Sequence, residues 1–522
     1  MNENMLWKAD LENGMYKNPI LYTDYSDPDV IRVGDTFYMT ASSFNYIPGL
    51  PILTSKDLVN WSLVNYAVKK IPYKDYDVPA HARGIWAPSI RYHDEKFWIF
   101  VGMPDEGIFM TNATDPLGEW SPLICVREGK GFIDPCPLWD EDGRAYVVHA
   151  YAKSRIGFKS KLGVFEISLD GQKCISEDKF IFDGTDTQPT IEGPKIYKRD
   201  GLYYILAPAG GVTMGWQTAL RSNSIYGSYE EKIVMHQGNA ETNGPHQGGL
   251  VDTQSGEEWF IHFQDKGAYG RISHLQPVKW KDGWPIIGLE NEVDGIGEPV
   301  LTYKKPQGVP VVEPCEPPTD DDFMDNNLGL QWQWLANSKE EFYSLTENPG
   351  YLRLYNLNTS GEETAIIWNS ANILTQKITC PEFCAETKMD FSQIGLGTRA
   401  GILMIGGQYA AMCVEREKDE INLLYIESEG EGENRTETIV ESLYYKDNSE
   451  IYLKVQFDND QTCVFLFSSD GINWSKSTRK FSPKGAHWVG ARIGIFAITD
   501  GNDKKNGYGD FSYLKVTAMD EE

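Results

Sequence analysis

Five segments of this chain share one pattern: a turn with Pro or Gly, a short apolar strand, a polar turn, and a strand that begins with aromatic residues. Spaced 60, 47, 58 and 54 residues apart, these segments begin at Asp27, Ala87, Asp134, Glu192 and His246. Gly34-Asp35, Asp142-Gly143 and Asp200-Gly201 are dipeptides typical of hairpin turns. About fifty residues with an internal hairpin is the size of a four-stranded propeller blade. The repeats therefore predict a five-bladed β-propeller over residues 1–305, because a β-sandwich would not repeat one phrase five times.

The sequence pattern changes after the repeats. Residues 306–319 are rich in proline, which continues neither a strand ladder nor a helix, so they are predicted to be an extended linker. Residues 320–522 contain alternating apolar and polar segments such as FCAETKMDF, EIYLKVQF and ARIGIFAI. This period of two is typical of an antiparallel two-sheet sandwich. We therefore expect an all-β chain, with a propeller followed by a β-sandwich.

The net charge excludes two classes of partner. Asp and Glu number 76 and Lys and Arg 48, which gives a formal charge of −28. Binding to nucleic acid depends on clustered Lys and Arg that neutralise phosphates, and an anionic membrane surface is disfavoured for the same reason. We therefore expect no nucleic-acid or membrane partner, while a homo-oligomer is compatible with the sequence.

No targeting segment is evident. The first twenty residues are polar and lack the apolar core of a secretory signal, and no stretch approaches the ~18 apolar residues of a membrane span. The eight cysteines are mostly isolated, and the close pair Cys380 and Cys384 has no nearby histidine to complete a zinc site. We expect a cytoplasmic protein with reduced thiols.

Acidic residues stand at the start of three repeats. Asp27, Asp134 and Glu192 begin repeats one, three and four, His246 begins repeat five, and Trp86 precedes repeat two. The first strand of each blade runs along the central channel, so these side chains are expected to converge on one pocket. Such acids are also ordinary turn residues. Three of them in equivalent places repel one another, however, which favours a functional role. Glycoside hydrolysis needs two carboxyl groups across a sugar ring.

Five motifs, in this order, resemble glycoside hydrolase family 43: SDPDVIRVGDTFYM, GIWAPSIRY, FIDPCPLWDEDGRAYVV, EGPKIYKRDGLYYIL and GRISHLQPVKWKDGWP. The sandwich is similar to the concanavalin-like jelly-roll domain of two-domain β-xylosidases in that family. The resemblance implies that Asp27 is the general base, Glu192 the general acid, and Asp134 the residue that raises the pKa of Glu192 and orients it. The family inverts, which requires the base and acid to lie roughly 6.5–9.5 Å apart. Asp29 is the rival of Asp27 as the base.

The same resemblance implies residues that contact the sugar. Trp86 would be a sugar platform, Phe44 would wall the −1 subsite, and Arg271 would bind sugar hydroxyls. Core packing is the alternative for both aromatics, and a surface ion pair is the alternative for Arg271. Trp216 is expected either on the leaving-group side or in a packing role. Phe511, which ends the sandwich loop ITDGNDKKNGYGDF, is expected to close one end of the pocket.

A calcium ion is expected on the propeller axis near His246. Inward carboxylates and carbonyls suit a hard cation, and the ion would offset the repulsion among the three acids. Some family members are metal-dependent, with a fifth-blade histidine close to the ion. This chain has GPHQGGLV where many β-xylosidases of the family have a Gly-His pair one residue later. The alternative is that His246 donates a hydrogen bond to a water or a carboxylate.

Together these features predict an exo-acting, inverting glycosidase that releases terminal xylose from xylo-oligosaccharides or arabinoxylan fragments. Release of arabinofuranose, as a side activity or as the main one, is the alternative. β-Fructosidases also join a five-bladed propeller to a sandwich, but they carry Asn-Asp-Pro-Asn-Gly, Arg-Asp-Pro and Glu-Cys elements that this chain lacks. A non-catalytic carbohydrate-binding protein would not need Asp27, Asp134 and Glu192 together.

Overall fold

The structure, a computed structural model, describes residues 5–418, 420–445, 449–501 and 506–519. Residues 5–305 contain five sheets of four or more strands, antiparallel except where Glu230–Met235 pairs in parallel with Gly297–Glu298, and the described residues beyond 320 form two further sheets. The prediction of an all-β chain with a five-bladed propeller and a sandwich is confirmed. In the described residues, no helix is long and apolar enough to cross a membrane.

Blades 1 to 3 each have four strands that follow one another in sequence. The strands of blade 1 are Asp29–Val33, Thr36–Thr40, Gly49–Ser55 and Ser62–Val68. Those of blade 2 are Trp86–His93, Lys96–Met103, Gly107–Ala113 and Ile124–Glu128. Those of blade 3 are Phe132–Trp139, Ala145–Tyr151, Lys161–Ile167 and Lys179–Asp183. In each blade the first strand is the one at the channel.

Blades 4 and 5 recruit strands from elsewhere in the chain. Blade 4 has Lys195–Arg199, Leu202–Ala209, Trp216–Ser222 and Glu230–Met235, extended by Gly297–Glu298 and Leu289–Glu290. Blade 5 has His246–Asp252, Glu258–Asp265, Arg271–Lys281 and, beside the third of these, Trp284–Ile287. Its outer strand is the N-terminal Leu21–Asp24, which pairs with Arg271–Lys281. The N-terminal strand thus completes the last blade, so that blade 5 is built from both ends of the propeller.

Tight turns inside the repeats explain why the repeat pattern could be recognised in the sequence. Val33 pairs with Thr36 and Arg199 pairs with Leu202, so Gly34-Asp35 and Asp200-Gly201 are two-residue hairpin loops. Asp200 and Gly201 both have positive φ, as a type I′ turn requires. Trp139 pairs with Ala145 instead, so Asp142-Gly143 lies within a longer loop.

The linker lies along the propeller. A short ladder joins Met15–Lys17 to Thr302–Lys304 just before it. Within the linker, the carboxylate of Glu316 accepts the N–H groups of Leu6 and Trp7 at 2.7 and 3.0 Å. Because it bonds to the N-terminal segment, the linker is tied to the propeller rather than free in solvent.

The described part of the sandwich consists of two seven-stranded sheets. In order, the sheet nearer the propeller contains Gln333–Trp334, Ile373–Lys377, Arg492–Thr499, Thr398–Ile405, Tyr409–Glu417, Glu420–Glu429 and Thr436–Tyr444. The other contains Tyr343–Ser344, Leu352–Tyr355, Tyr508–Ala518, Phe383–Asp390, Glu450–Phe457, Cys463–Ser468 and Ser475–Lys476.

Helices are short throughout the described residues. The α-helix is Lys153–Ile156, and the 3₁₀ turns are Lys74–Tyr76, Gly267–Tyr269, Glu340–Phe342, Ile367–Asn369 and Gly432–Asn434.

The two sheets differ in how their faces are buried. Phe383–Asp390 and Glu450–Phe457 alternate buried and half-buried residues, as period-two patterning predicts. Thr398–Ile405 and Arg492–Thr499 are buried at every position. One face of these two strands packs in the sandwich core, and the other joins an apolar cluster with propeller residues such as Phe44. The propeller and the sandwich therefore share a continuous apolar interface.

Candidate active site

A residue in the left-handed backbone region lies at or near the start of each innermost propeller strand. These five residues are Asp27 (φ 53°), Ala87 (34°), Asp134 (56°), Gly193 (57°) and Gln247 (29°). Such conformations are rare for residues other than glycine, and they cluster at functional sites. Because this positive-φ kink recurs in all five blades, it is a feature of the blade architecture.

The sequence pattern placed the three acids at equivalent positions of their blades, and the positive-φ residues show that one of them is offset. Asp27 and Asp134 occupy the kinked position itself, whereas Glu192 lies one residue before it, with Trp86 and His246 at the matching positions of their blades. Successive side chains along an extended chain point in opposite directions. Accordingly the two aspartates are buried, at 5% and 4% exposure, while the Glu192 side chain is 32% exposed.

Asp27 is held at both carboxylate oxygens. Its Oδ2 accepts hydrogen bonds from the hydroxyls of Ser26 and Ser42 at 2.8 and 2.6 Å, and its Oδ1 accepts one from Arg271 Nη1 at 3.0 Å. Arg271 also donates to Ser26 Oγ at 2.9 Å and is almost fully buried. Arg271 is therefore not in a surface ion pair: it fixes the orientation of the Asp27 carboxylate.

The rival acid, Asp29, has a different environment. It has no exposed side-chain surface, and its Oδ2 lies 2.7 Å from Arg91 Nη1 and 4.0 Å from Lys195 Nζ. The same oxygen accepts the N–H of Ile90 at 2.9 Å. Because Asp29 is inaccessible and paired with two cations inside the channel, the geometry favours Asp27 as the acid that meets substrate.

Asp134 and Glu192 are electrostatically coupled. Asp134 Oδ2 accepts the N–H of Gly193, next to Glu192, at 2.7 Å. Burial, followed by the negative charges of Glu192 and Asp27, raises the pKa of Asp134 from 3.8 to about 8. At neutral pH the buried Asp134 therefore keeps its proton. Glu192, the more exposed of the two carboxyl groups, is the one that can reach a substrate.

Replacing Asp134 with asparagine is expected to stabilise the protein at higher pH. A carboxyl whose pKa is raised on folding supports the fold most below pH 3.8, and that contribution is lost as the pH rises to about 8. The melting temperature of wild type should therefore fall relative to that of Asp134→Asn between pH 4 and pH 8. Thermal melts across this range measure the difference, and parallel curves for the two proteins would contradict the buried, protonated Asp134.

His246 contacts the proposed acid directly. It is 1% exposed, its Nε2 lies 3.2 Å from Glu192 Oε1, and its Nδ1 has no hydrogen-bond partner among the described residues. Those residues contain no group of three or more His, Cys, Asp or Glu side chains arranged to hold a metal ion. An ion near His246 would therefore take most of its ligands from water.

Aromatic rings form one wall of the site. Trp86 immediately precedes Ala87, whose N–H donates to Ser42 Oγ at 2.7 Å, and this hydroxyl in turn donates to Asp27. The rings of Trp86 and Phe44 lie 6.3 Å apart. Both side chains are buried, and Trp86 Nε1 has no partner among the described residues. The two rings therefore form an apolar wall beside the residues that hold Asp27.

Trp216 lies beside the segment that carries Glu192. The N–H of Glu192 donates to Pro208 O at 3.1 Å, and Ala209, the next residue, pairs with Trp216. Trp216 Nε1 donates to Gln188 Oε1 at 2.8 Å, so the half-buried indole is held in place. Its position is compatible with both roles predicted for it.

Phe511 does not border the pocket, and this prediction is wrong. Its side chain is fully buried within the sandwich core, where it pairs with Leu352 and packs in the same cluster as Met389. Its position opposite Met389 in the neighbouring strand places it in the sandwich core. Residues 502–505 of the loop before it lie outside the described residues.

The sandwich reaches the site through another segment, residues 485–490, which we call the pocket hairpin. Ala486 and Val489 are bridged, and Trp488 between them has a φ of 69°. Its ring lies 4.4 Å from that of Trp86 and 6.2 Å from that of Phe44. An aromatic residue in the glycine-flanked turn GAHWVG was the available sequence signal for this contact.

The neighbouring His487 also lies by the site. Burial and the positive charges of Arg271 and Arg155 lower the pKa of His487. Arg155 itself lies over the Trp86 ring at 5.1 Å. Three carboxyl groups at the strand starts thus face a wall of aromatic and cationic side chains, part of which the sandwich supplies.

Comparison with known proteins agrees with this architecture. Residues 16–285 match the glycosyl hydrolases family 43 model, and residues 320–517 match the β-xylosidase C-terminal concanavalin A-like domain. The chain is 37% identical to a putative β-xylosidase of Xylanibacter ruminicola, over 93% of this chain and 87% of that protein. It is 33% identical to a β-xylosidase of Formosa agariphila, over 97% and 91%.

A solved structure shows the same likeness in three dimensions. It is that of a xylan β-1,4-xylosidase from Bacillus halodurans C-125, with a TM-score of 0.84 and 26% identity. The match covers 96% of this chain and 99% of that one, so it includes both the propeller and the sandwich. By its fold, its three acids and these matches, the chain belongs to glycosyl hydrolase family 43.

Proposed function

We propose that this family 43 enzyme is an exo-acting, inverting β-1,4-xylosidase that releases terminal xylose from xylo-oligosaccharides. One arrangement carries the proposal: Glu192, partly exposed and hydrogen bonded to His246, lies beside the buried Asp134 in a site that also holds Asp27. Such a site offers one carboxyl for each side of a glycosidic bond. The β-xylosidase names of the two relatives support xylose as the sugar.

In this mechanism Asp27 removes a proton from the attacking water. Arg271 and two serine hydroxyls hold the carboxylate in one orientation. A fixed base contributes to catalysis because the reacting groups need no further ordering. The water attacks the anomeric carbon from the face opposite the leaving group, so the configuration inverts.

Glu192 protonates the departing oxygen in the same step. Its exposure allows it to reach substrate, and His246 Nε2 orients its Oε1. The carboxyl of Asp134 accepts the N–H of Gly193, the residue after Glu192, and so holds the backbone that carries the acid. In the proposed roles, Asp134 therefore orients the acid without touching the reacting atoms.

The wall formed by Trp86, Phe44 and Trp488 accounts for exo action. Because the pocket hairpin of the sandwich packs against the propeller rings, one side of the site is closed. A closed side admits the end of a chain but not its middle. We infer that the terminal sugar sits against this wall and that the remainder of the oligosaccharide leaves on the Trp216 side.

Activity on three substrates tests the proposal. We expect the highest kcat/KM on nitrophenyl β-xyloside, lower activity on nitrophenyl α-L-arabinofuranoside, and none on sucrose. A preference for the arabinofuranoside would replace the main activity by the alternative predicted from sequence. Hydrolysis of sucrose would contradict both.

Calcium near His246 is a separate proposal. It is supported by the repulsion among the three acids, which a cation would reduce, and by the position of His246, whose Nε2 lies 3.2 Å from Glu192 Oε1. After EDTA treatment, activity and melting temperature should both fall, and calcium should restore them in wild type but not in His246→Ala. Unchanged activity and melting temperature after verified metal removal would contradict the ion.

A further inference from the structure

Asp24 is a buried carboxylate that the mechanism above does not use. It ends the outer strand of blade 5 and is 3% exposed. Its Oδ1 accepts the backbone N–H of Arg271 at 2.9 Å, and its Oδ2 accepts the backbone N–H of Gly490 at 3.0 Å. One side chain therefore joins the propeller strand that carries Arg271 to the pocket hairpin of the sandwich.

Both residues that donate to Asp24 are close to the active site: one is itself a site residue, and the other lies two positions from one. Arg271 itself donates to Asp27 through Nη1 at 3.0 Å. Gly490 follows Trp488 by two positions, and the Trp488 ring lies 4.4 Å from Trp86. The position of Asp24 thus bears on the proposed base and on the aromatic wall together.

The backbones at this junction are in direct contact. A Cβ added to Gly270 would lie 2.6 Å from Asp24 Cγ and from Gly490 N, closer than real Cβ atoms come. A Cβ added to Gly490 would lie 2.8 Å from Gly270 N. The N–H of Ala491 donates to Ala268 O at 2.7 Å beside them. The pocket hairpin is therefore seated against the start of the Arg271 strand with no room for a side chain.

The junction also balances the charge of Asp24. The Nζ of Lys377, from the sandwich, donates to the backbone oxygen of Asp24. Burial and the nearby Arg492 lower the pKa of Lys377 to about 7, while Asp24 acts in the opposite direction. The carboxylate itself accepts the two backbone N–H groups, as an acceptor-only group can, while Lys377 bonds to the backbone oxygen of Asp24 and Arg492 donates to Gln333 Oε1.

We propose that Asp24 is a positioning residue that holds Arg271 against Asp27 and seats the pocket hairpin on the propeller. The proposal rests on the assignment of Asp27 as the base in the proposed function. In Asp24→Asn the amide oxygen can accept one of the two N–H groups, while the new NH₂ faces the other. A buried N–H is then left facing a second donor with no acceptor, so the junction should open.

The first test compares Asp24→Asn with a matched control, Asn337→Ala. Asn337 is another buried tie between the domains: it bonds both backbone groups of Ile71 at 2.9 Å but has no contact with Arg271 or the hairpin in the described structure. On nitrophenyl β-xyloside, Asp24→Asn should lower kcat about tenfold and raise KM, while Asn337→Ala keeps both within about twofold. Equal effects of the two variants on kcat and KM would overturn the proposal.

A double-mutant cycle makes the test sharper. If Asp24 acts through the hairpin, its effect on KM should shrink by at least about threefold in a Trp488→Ala background, because contacting residues are not additive. Additive effects would overturn the coupling. Should Asp24→Asn fail to fold, Gly490→Ala opens the same junction without changing its charge and should reproduce the losses. Full activity of Gly490→Ala would also overturn it.

Failure of this proposal is distinguishable from failure of the proposed function. Asp27→Asn tests the base by itself, independently of Asp24. An inactive Asp27→Asn together with a fully active Asp24→Asn would remove the positioning role and leave the mechanism intact. An active Asp27→Asn would instead remove the mechanism, whatever Asp24→Asn does.

Discussion

The Glu192→Gln variant is expected to lose at least 10²–10⁴-fold in kcat on xylobiose, roughly the contribution of a general acid. Glutamine keeps the size of the side chain and its contact with His246, but it has no proton to give to the leaving sugar. Since the side chain is partly exposed, the fold should be unaffected, and its melting curve provides the control.

The leaving group distinguishes the acid from a structural residue. A substrate whose leaving group needs no protonation, such as a dinitrophenyl xyloside, should recover much of the lost rate in Glu192→Gln. A loss below tenfold on xylobiose would contradict the assignment. An equal loss on both substrates would show that Glu192 serves binding rather than protonation.

Asp27→Asn is expected to lose as much activity, with no recovery on any leaving group. The attacking water must lose a proton to a base whichever group departs, so an activated leaving group offers no substitute. The amide still accepts the hydrogen bond from Arg271 Nη1, so the site should stay assembled. Steady-state rates on xylobiose and on the dinitrophenyl xyloside measure both points.

Asp29→Asn is not an innocuous control for this experiment. Asp29 neutralises Arg91 and lies near Lys195, so removing its charge leaves buried cations unpaired and should lower stability as well as activity.

Strong recovery of Asp27→Asn on the activated substrate would contradict the role of Asp27 as the base. Full activity of that variant on xylobiose would do so outright.

The propeller was predictable because its repeats carry local signals. Two-residue hairpins such as Asp200-Gly201 need residues that adopt positive φ. In each of the five repeats an aromatic strand follows a turn, and the repeats are spaced similarly. The three acids, Trp86 and His246 followed from the same repeats, since each innermost strand begins near the channel, whereas Phe44 and Arg271 followed only from the family resemblance. The one-residue offset of Glu192 was readable from the proline that follows the positive-φ residue, as in Asp27-Pro28, Asp134-Pro135 and Gly193-Pro194.

Contacts between distant segments were harder to predict. Phe511 and Trp488 are both aromatic residues near turns of the sandwich, and only tertiary packing decides which of them reaches the propeller. The strand ARIGIFAI appeared as an alternating sandwich strand, yet the structure buries Arg492–Thr499 on both faces. The cause is the apolar interface with the propeller, a long-range effect that no local period reports. Asp24, which ties the two domains, carries no motif at all.

The stereochemistry of xylobiose hydrolysis tests the central claim most directly. Proton NMR of the first product formed, recorded before mutarotation, identifies the anomer of the released xylose. The account predicts cleavage of the β-1,4 bond with an initial excess of α-xylose over the anomers that the reducing-end sugar contributes, because a water activated by Asp27 attacks opposite to the oxygen that Glu192 protonates. An initial excess of β-xylose over that contribution, or no cleavage of xylobiose by the folded enzyme, would contradict it.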